Sequence, residues 1–181
     1  MNTDEIRKVQ LESDCLCDTD TLHRALDKMA EKIETDLKDA NPLILCVMTG
    51  GIIPVGHLLT RLSFPLQLDY IHATRYRGET SGGRLSWLHK PEISLQDRTV
   101  LIVDDIFDEG ITLEAISQYC AENGAREVYS AVLVNKLHDR KTQYQPDYVA
   151  LEIEDRYLFG FGMDYKNYLR NLNAIHAVKG M

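Results

Sequence analysis

Residues 100–113 read VLIVDDIFDEGITL, and their order decides the fold. An apolar stretch over residues 99–103 runs without alternation, the pattern of a strand buried on both faces of a parallel sheet. Two adjacent carboxylates, Asp104 and Asp105, follow it directly, and Asp108 comes three residues after Asp105. Residues 104–111 read as an acidic loop. Residues 112–123 read as a helix closed by Gly124.

The same alternation of element types continues outward. Residues 43–48 (LILCVM) form another continuous apolar run and a second buried strand. Thr49-Gly50-Gly51 is a turn, and residues 52–62 read as a helix. Residues 66–73, 128–134 and 148–153 read as three further strands. Upstream, Leu22, Ala25, Leu26, Met29, Ala30, Ile33 and Leu37 recur at helical spacing, with Thr19 or Asp20 as the cap. Strands alternating with helices imply an α/β fold, a mostly parallel sheet flanked by helices. Ligands of such sheets bind beyond the carboxyl ends of the strands. Both the Thr49 turn and the Asp104 loop fall there.

That loop carries its own chemistry. Unpaired N–H groups at a helix N-terminus stabilise a phosphate. Gly110 allows close backbone approach, and Thr112 adds a hydroxyl donor. Asp104 and Asp105 offer hard oxygens suited to Mg²⁺ or to the two hydroxyls of a ribose. Asp108 remains near the place where chemistry on the ribose would occur. A phosphoacceptor aspartate in a receiver-type fold would need its acidic residues split between an early and a later strand, which this chain lacks.

The remaining composition narrows the class. The 181 residues suit a single domain over 1–181, and 44% hydrophobic with 27% charged residues is an ordinary soluble balance. The formal net charge of −8 argues against nucleic acid as a partner. No apolar run approaches the roughly 18 residues of a membrane span. The polar opening MNTDEIRKVQ lacks a secretory apolar core, so a cytoplasmic protein is expected. Cys46 and Cys120 read as small core residues. Cys15 and Cys17 form a CxC without a partner pair at zinc-site spacing. His23, His57, His72, His89, His138 and His176 show no metal spacing and are assigned no role.

VLIVDDIFDEGITL resembles the phosphoribosyl pyrophosphate signature of type I phosphoribosyltransferases. That signature is a hydrophobic strand, two acidic residues, two variable residues, then Asp, Thr, Gly, a variable residue and Thr. Glu109 departs from it, standing where the family usually has Thr. The resemblance implies that Asp104, Asp105, Asp108, Glu109, Gly110, Ile111 and Thr112 bind the phosphoribosyl group, with Asp108 as general base. It also implies a small hood and a mobile lid over about residues 74–93, the long polar segment containing YRGETSGGRLSW. Tyr76 keeps the tyrosine of the lid's usual Ser-Tyr start. Ser81, Gly82 and Gly83 supply flexibility, and Trp87 is a candidate anchor.

Three more segments resemble the hypoxanthine-guanine branch. In CVMTGGIIPVGHLLTRLSFPLQLDYIHATRY, Thr49 replaces the lysine of a Lys-Gly-Gly turn that binds pyrophosphate. The resemblance implies contacts from Thr49 and Gly50 and a cis peptide at Met48–Thr49. In SAVLVNKLHDRKTQYQPDYVALEI, Lys136 falls at the lysine that reads the purine O6. In DRYLFGFGMDYKNYLRNL, Tyr157 would stack on the base and Leu158 would offer backbone groups to its edge. Asp164 would hold a second magnesium beside the base, and Arg170 would meet pyrophosphate. The metal ligands implied are therefore Asp104, Asp105 and Asp164, with Mg²⁺ as cofactor.

The implied activity is purine salvage: hypoxanthine or guanine and phosphoribosyl pyrophosphate give IMP or GMP and pyrophosphate. A xanthine-preferring transferase and a regulatory nucleotide-sensing module on the same fold are the alternatives. Small-molecule substrates, no nucleic acid, no membrane, and a homodimer or homotetramer complete the expectation.

Overall fold

A strand that is apolar at every position needs cover on both of its faces, and the architecture supplies it. The computed structural model describes residues 2–75 and 85–180. Its elements are α1 (Thr3–Glu12), β1 (Asp14–Cys17), α2 (Thr19–Leu37), β2 (Leu43–Val47), α3 (Ile52–Leu59), β3 (Gln67–Arg75) and β4 (Leu85–His89). They continue as β5 (Thr99–Phe107), α4 (Ile111–Glu122), β6 (Glu127–Leu137), β7 (Tyr148–Glu154), β8 (Leu158–Phe159) and β9 (Ile175–Ala177).

The main sheet has six strands in the order β4-β3-β2-β5-β6-β7. All neighbours are parallel except β3 and β4. In β2, Ile44 and Cys46 enter one core with Leu22, Leu26 and Ile33 of α2 and Leu58 of α3. Leu43, Leu45 and Val47 enter a second core with Leu113, Ile116 and Cys120 of α4. Strand β5 divides likewise, Leu101 and Val103 to the first core and Val100 and Ile102 to the second. Period-two side-chain direction thus feeds both layers from one apolar run.

A second sheet of three strands, β1-β9-β8, forms the hood. It joins the beginning of the chain to its end: Asp14 pairs with Ala177, and Cys15 with His176. No sustained periodicity in the sequence marks helix α1 or strand β1. Helix α2 is capped by Asp18 rather than by Thr19 or Asp20, its Oδ1 accepting the Thr21 N–H at 2.8 Å.

Three boundaries move in ways that matter. Strand β5 continues through the acidic pair to Phe107, because β6 continues beside it and pairs Phe107 with Asn135. Asp104 and Asp105 therefore sit on a strand, not in a loop. Strand β6 runs to Leu137, so Lys136 belongs to the sheet. Within the segment expected to be a lid, β3 continues through Arg75 and β4 occupies Leu85–His89, an antiparallel pair. Trp87 lies on β4 and packs against Tyr119, ring centroids 5.0 Å apart. Tyr76, Ser81, Gly82 and Gly83 fall outside the described residues. Among the described residues, no helix is long and apolar enough to cross a membrane.

Candidate active site

Parallel strands β2, β5, β6 and β7 deliver their carboxyl ends to one edge of the sheet. There a cavity of about 730 Å³ is lined by Thr49, Gly50, Asp104, Asp105, Asp108, Gly110, Thr112, Asp164 and Arg170, among others. A smaller cavity of about 190 Å³ is lined by Lys136, Arg156, Tyr157, Leu158 and Met163. Asp105, Ile106, Asp108 and Asp164 line both, so the two share a wall.

The acidic pair is deeply placed. Asp104 and Asp105 are each 8% exposed. Burial first, then the adjacent Asp105 charge, pushes the Asp104 carboxyl well above the usual carboxylate range. Burial also raises Asp105, against the opposing effects of its hydrogen bond with Asp104 and of Arg170. The Arg170 guanidinium stands 3.9 Å from Asp105 and pairs closely with Asp164 at 2.5 Å. Its other nitrogen donates to the Gly162 carbonyl at 2.6 Å, which fixes the fork.

The backbone around the pair is close. The Met48–Thr49 peptide is cis, as expected. A Cβ added to Gly50 would lie 2.0 Å from Asp105 Oδ2, so residue 50 has no room for a side chain. Gly110 is the N-cap of α4 with φ +84, a conformation that glycine adopts without penalty. Its hydrogen faces the Phe107 ring, 2.7 Å from where a Cβ would stand.

Asp108 leaves the end of β5 with its side chain 45% exposed. Its Oδ1 lies 2.7 Å from His138 Nε2 and 3.5 Å from Lys136 Nζ. Lys136 is 8% exposed and pairs more closely with Asp155, at 2.7 Å. Asp155 also accepts from Arg140 at 2.7 Å, and these two cations, Lys136 first, hold its carboxyl down at about 2.

The sequence-derived residues thus face one cavity, the other, or both, with two outliers. Thr49, Gly50, Asp104, Asp105, Gly110, Thr112 and Arg170 face the larger cavity, and Lys136, Tyr157 and Leu158 face the smaller. Asp108 and Asp164 stand at the junction, together with Asp105, which lines both cavities. Glu109 and Ile111 do not line the larger cavity: the Glu109 carbonyl accepts from Thr142 N at 2.9 Å, and Ile111 is exposed toward the β4 side of α4. Arg156 lines the smaller cavity, and His138 and Asp155 pair with Asp108 and Lys136 beside it; the sequence motifs point to none of the three. Asp155 follows β7 directly, and position at a strand's carboxyl end was the available signal.

Two buried carboxylates raised by desolvation form a donor set suited to a hard divalent cation. Asp164 fits such a role less freely, since one oxygen pairs with Arg170 and the other accepts from Asn167 N at 2.7 Å.

A helix start suited to an anion, buried carboxylates and a small neighbouring cavity make this an α/β fold whose ligand site lies beyond the carboxyl ends of its parallel strands. Comparison with known proteins makes this specific. Residues 17–167 match the phosphoribosyl transferase domain family. The hypoxanthine-guanine-xanthine phosphoribosyltransferase of Tritrichomonas foetus is 30% identical over 91% of this chain and 90% of its own length. The hypoxanthine-guanine phosphoribosyltransferase of Bacillus subtilis is 25% identical over 91% and 92%. The crystal structure of a hypoxanthine-guanine phosphoribosyltransferase from Bacillus anthracis superimposes with a TM-score of 0.85 at 25% identity, covering 91% of this chain and 98% of that one. The chain belongs to the phosphoribosyltransferase family, in its hypoxanthine-guanine branch.

Proposed function

We propose that this protein transfers a phosphoribosyl group to hypoxanthine or guanine, forming IMP or GMP and releasing pyrophosphate. The observation that carries the reading is the shared wall: Asp108 stands where the larger cavity meets the smaller one.

Each group then has work that its position supports. The start of α4, with Gly110 and Thr112, receives the 5′-phosphate through N–H groups and the helix dipole. The Thr49-Gly50 turn and Arg170 receive the pyrophosphate. Asp104 and Asp105 face the ribose, where positive charge develops as the glycosidic bond to pyrophosphate breaks, and their negative charge favours that state. Magnesium, when bound, neutralises the leaving pyrophosphate; Asp104, Asp105 and Asp164 are the carboxylates that would hold it.

Lys136 donates to the purine O6. An adenine amino group at that place would leave both donors unpaired, which disfavours it. Tyr157 stacks on the base, and Leu158 meets its edge through the backbone. Asp108 accepts the N7 proton as N9 forms its bond to the ribose, a general-base role. Holding both reactants against one wall supplies the alignment that the reaction needs.

The test is a spectrophotometric screen of hypoxanthine, guanine, xanthine, adenine and orotate, each with phosphoribosyl pyrophosphate and Mg²⁺. Turnover with hypoxanthine or guanine above that with adenine and orotate is expected. Xanthine is included because the Tritrichomonas foetus relative is named for all three oxopurines. Absence of nucleotide product with every base would favour a nucleotide-sensing module instead.

A further inference from the structure

We propose that His138 is a positioning residue for the general base: it holds the Asp108 carboxylate apart from Lys136. The inference rests on the base role proposed for Asp108.

The topology brings the residues together. Asp108 follows β5, His138 follows β6 and Asp155 follows β7, three neighbouring parallel strands. Register pairs Phe107 with Asn135 and Leu137 with Glu154, so the residues just beyond these ends stand side by side.

The ring's orientation is fixed from behind. The Arg140 backbone N–H donates to His138 Nδ1 at 3.1 Å. A neutral imidazole that accepts at Nδ1 carries its hydrogen on Nε2. That hydrogen points at Asp108 Oδ1, 2.7 Å away. The His138 side chain is only 5% exposed, so its place is set by packing and not by solvent.

Why the chain needs a donor there follows from Lys136. Its ammonium lies 3.5 Å from the same Asp108 oxygen and 2.7 Å from Asp155. Without His138, the attraction of opposite charges draws Asp108 onto Lys136. One such pair would occupy the acceptor needed for the purine proton and the donor needed for O6. With His138 on Oδ1, the lysine stays on Asp155. Both Asp108 contacts fall on Oδ1, and none of the described residues hydrogen-bonds Oδ2, the oxygen left to take the proton.

The experiment compares steady-state kinetics of wild type, His138→Leu, His138→Gln, Asp108→Asn and the Asp108→Asn/His138→Leu double variant. Each is first checked for an intact fold by circular dichroism. Losing a hydrogen bond to a charged group predicts that His138→Leu lowers kcat with hypoxanthine by about tenfold or more. Its KM for phosphoribosyl pyrophosphate stays within roughly twofold, because His138 itself does not line the larger cavity and the carboxylate it places is one of many groups there. His138→Gln, which keeps an N–H at a similar reach, recovers most of the loss. The double variant is no slower than Asp108→Asn alone, since the histidine acts through that carboxylate.

Wild-type kcat in His138→Leu, with Asp108→Asn impaired, overturns the positioning role and leaves the base role standing. Equal losses in the Leu and Gln variants overturn it too, because packing alone would explain them. Asp108→Asn within about tenfold of wild type overturns the base role itself, and the inference with it.

Discussion

The Asp105 carboxylate occupies the space that a side chain at residue 50 would need: a Cβ on Gly50 would lie 2.0 Å from Asp105 Oδ2 and 2.3 Å from its Cγ. Turn and acidic strand end are therefore one packed unit, and the cavity's floor depends on the absence of a methyl group. Gly50→Ala must displace a buried carboxylate. Overpacking of this kind costs about 1–3 kcal/mol. The expected result is a melting temperature lowered by several degrees, with kcat/KM for phosphoribosyl pyrophosphate reduced by about a hundredfold. Calorimetry and initial-rate kinetics check the two parts separately.

Asp104→Asn should raise the stability of the metal-free protein while harming activity. The Asp104 carboxyl is pushed up by burial and by Asp105, so its folded-state value exceeds the unfolded one. The folded state then binds the proton more tightly. Stability is retained below the ordinary carboxylate range, about pH 4, and is lost as pH rises from there through the raised value. Asparagine keeps the oxygen that accepts the Asp105 N–H at 2.8 Å and removes the charge. A gain of about 1 kcal/mol, roughly 2–4 °C, is expected near neutral pH and none in acid. Thermal melts across the pH range, without added metal, provide the comparison.

Lys136→Met tests the reading of the purine O6. Deleting a donor to that atom should raise KM for hypoxanthine and guanine by about 10- to 100-fold. Adenine should lose nothing, so the preference for oxopurines narrows. A drop in kcat with KM unchanged for both oxopurines would instead assign the lysine to ordering Asp108 and Asp155.

Arg170→Lys retains the charge and loses the fork that bridges Asp164 at 2.5 Å and the Gly162 carbonyl at 2.6 Å. A point charge on a flexible stem cannot serve both acceptors. KM for phosphoribosyl pyrophosphate should rise about tenfold, from loss of one charge-assisted hydrogen bond, with little change for the base. Kinetics with each substrate varied in turn distinguish the two effects.

Local signals carried much of this site. An apolar run ending in Asp104 and Asp105 is visible in the sequence because a strand buried on both faces needs no polar alternation, and β5 has none through Val103. Its true end was hidden, since β5 reaches Phe107 only because β6 lies beside it as far as Asn135. The same cause put Lys136 on a strand. Strand β1 was illegible because its partner β9 lies at the far end of the chain, and pairing at that distance leaves no mark on four residues. Glu109 and Ile111 were carried by a motif that fixes backbone, and neither lines the larger cavity, Ile111 facing the β4 side of α4 instead. His138 could not be read at all: its contact with Asp108 spans thirty residues and arises only from the neighbouring ends of β5 and β6.

A crystal structure with IMP or GMP bound tests the central claim most directly. The phosphate is expected against Gly110 and Thr112 at the start of α4, and the purine between Tyr157 and Lys136 with N7 facing Asp108. A nucleotide seated away from the shared wall, or with its base in the larger cavity and its phosphate beside Lys136, would contradict it.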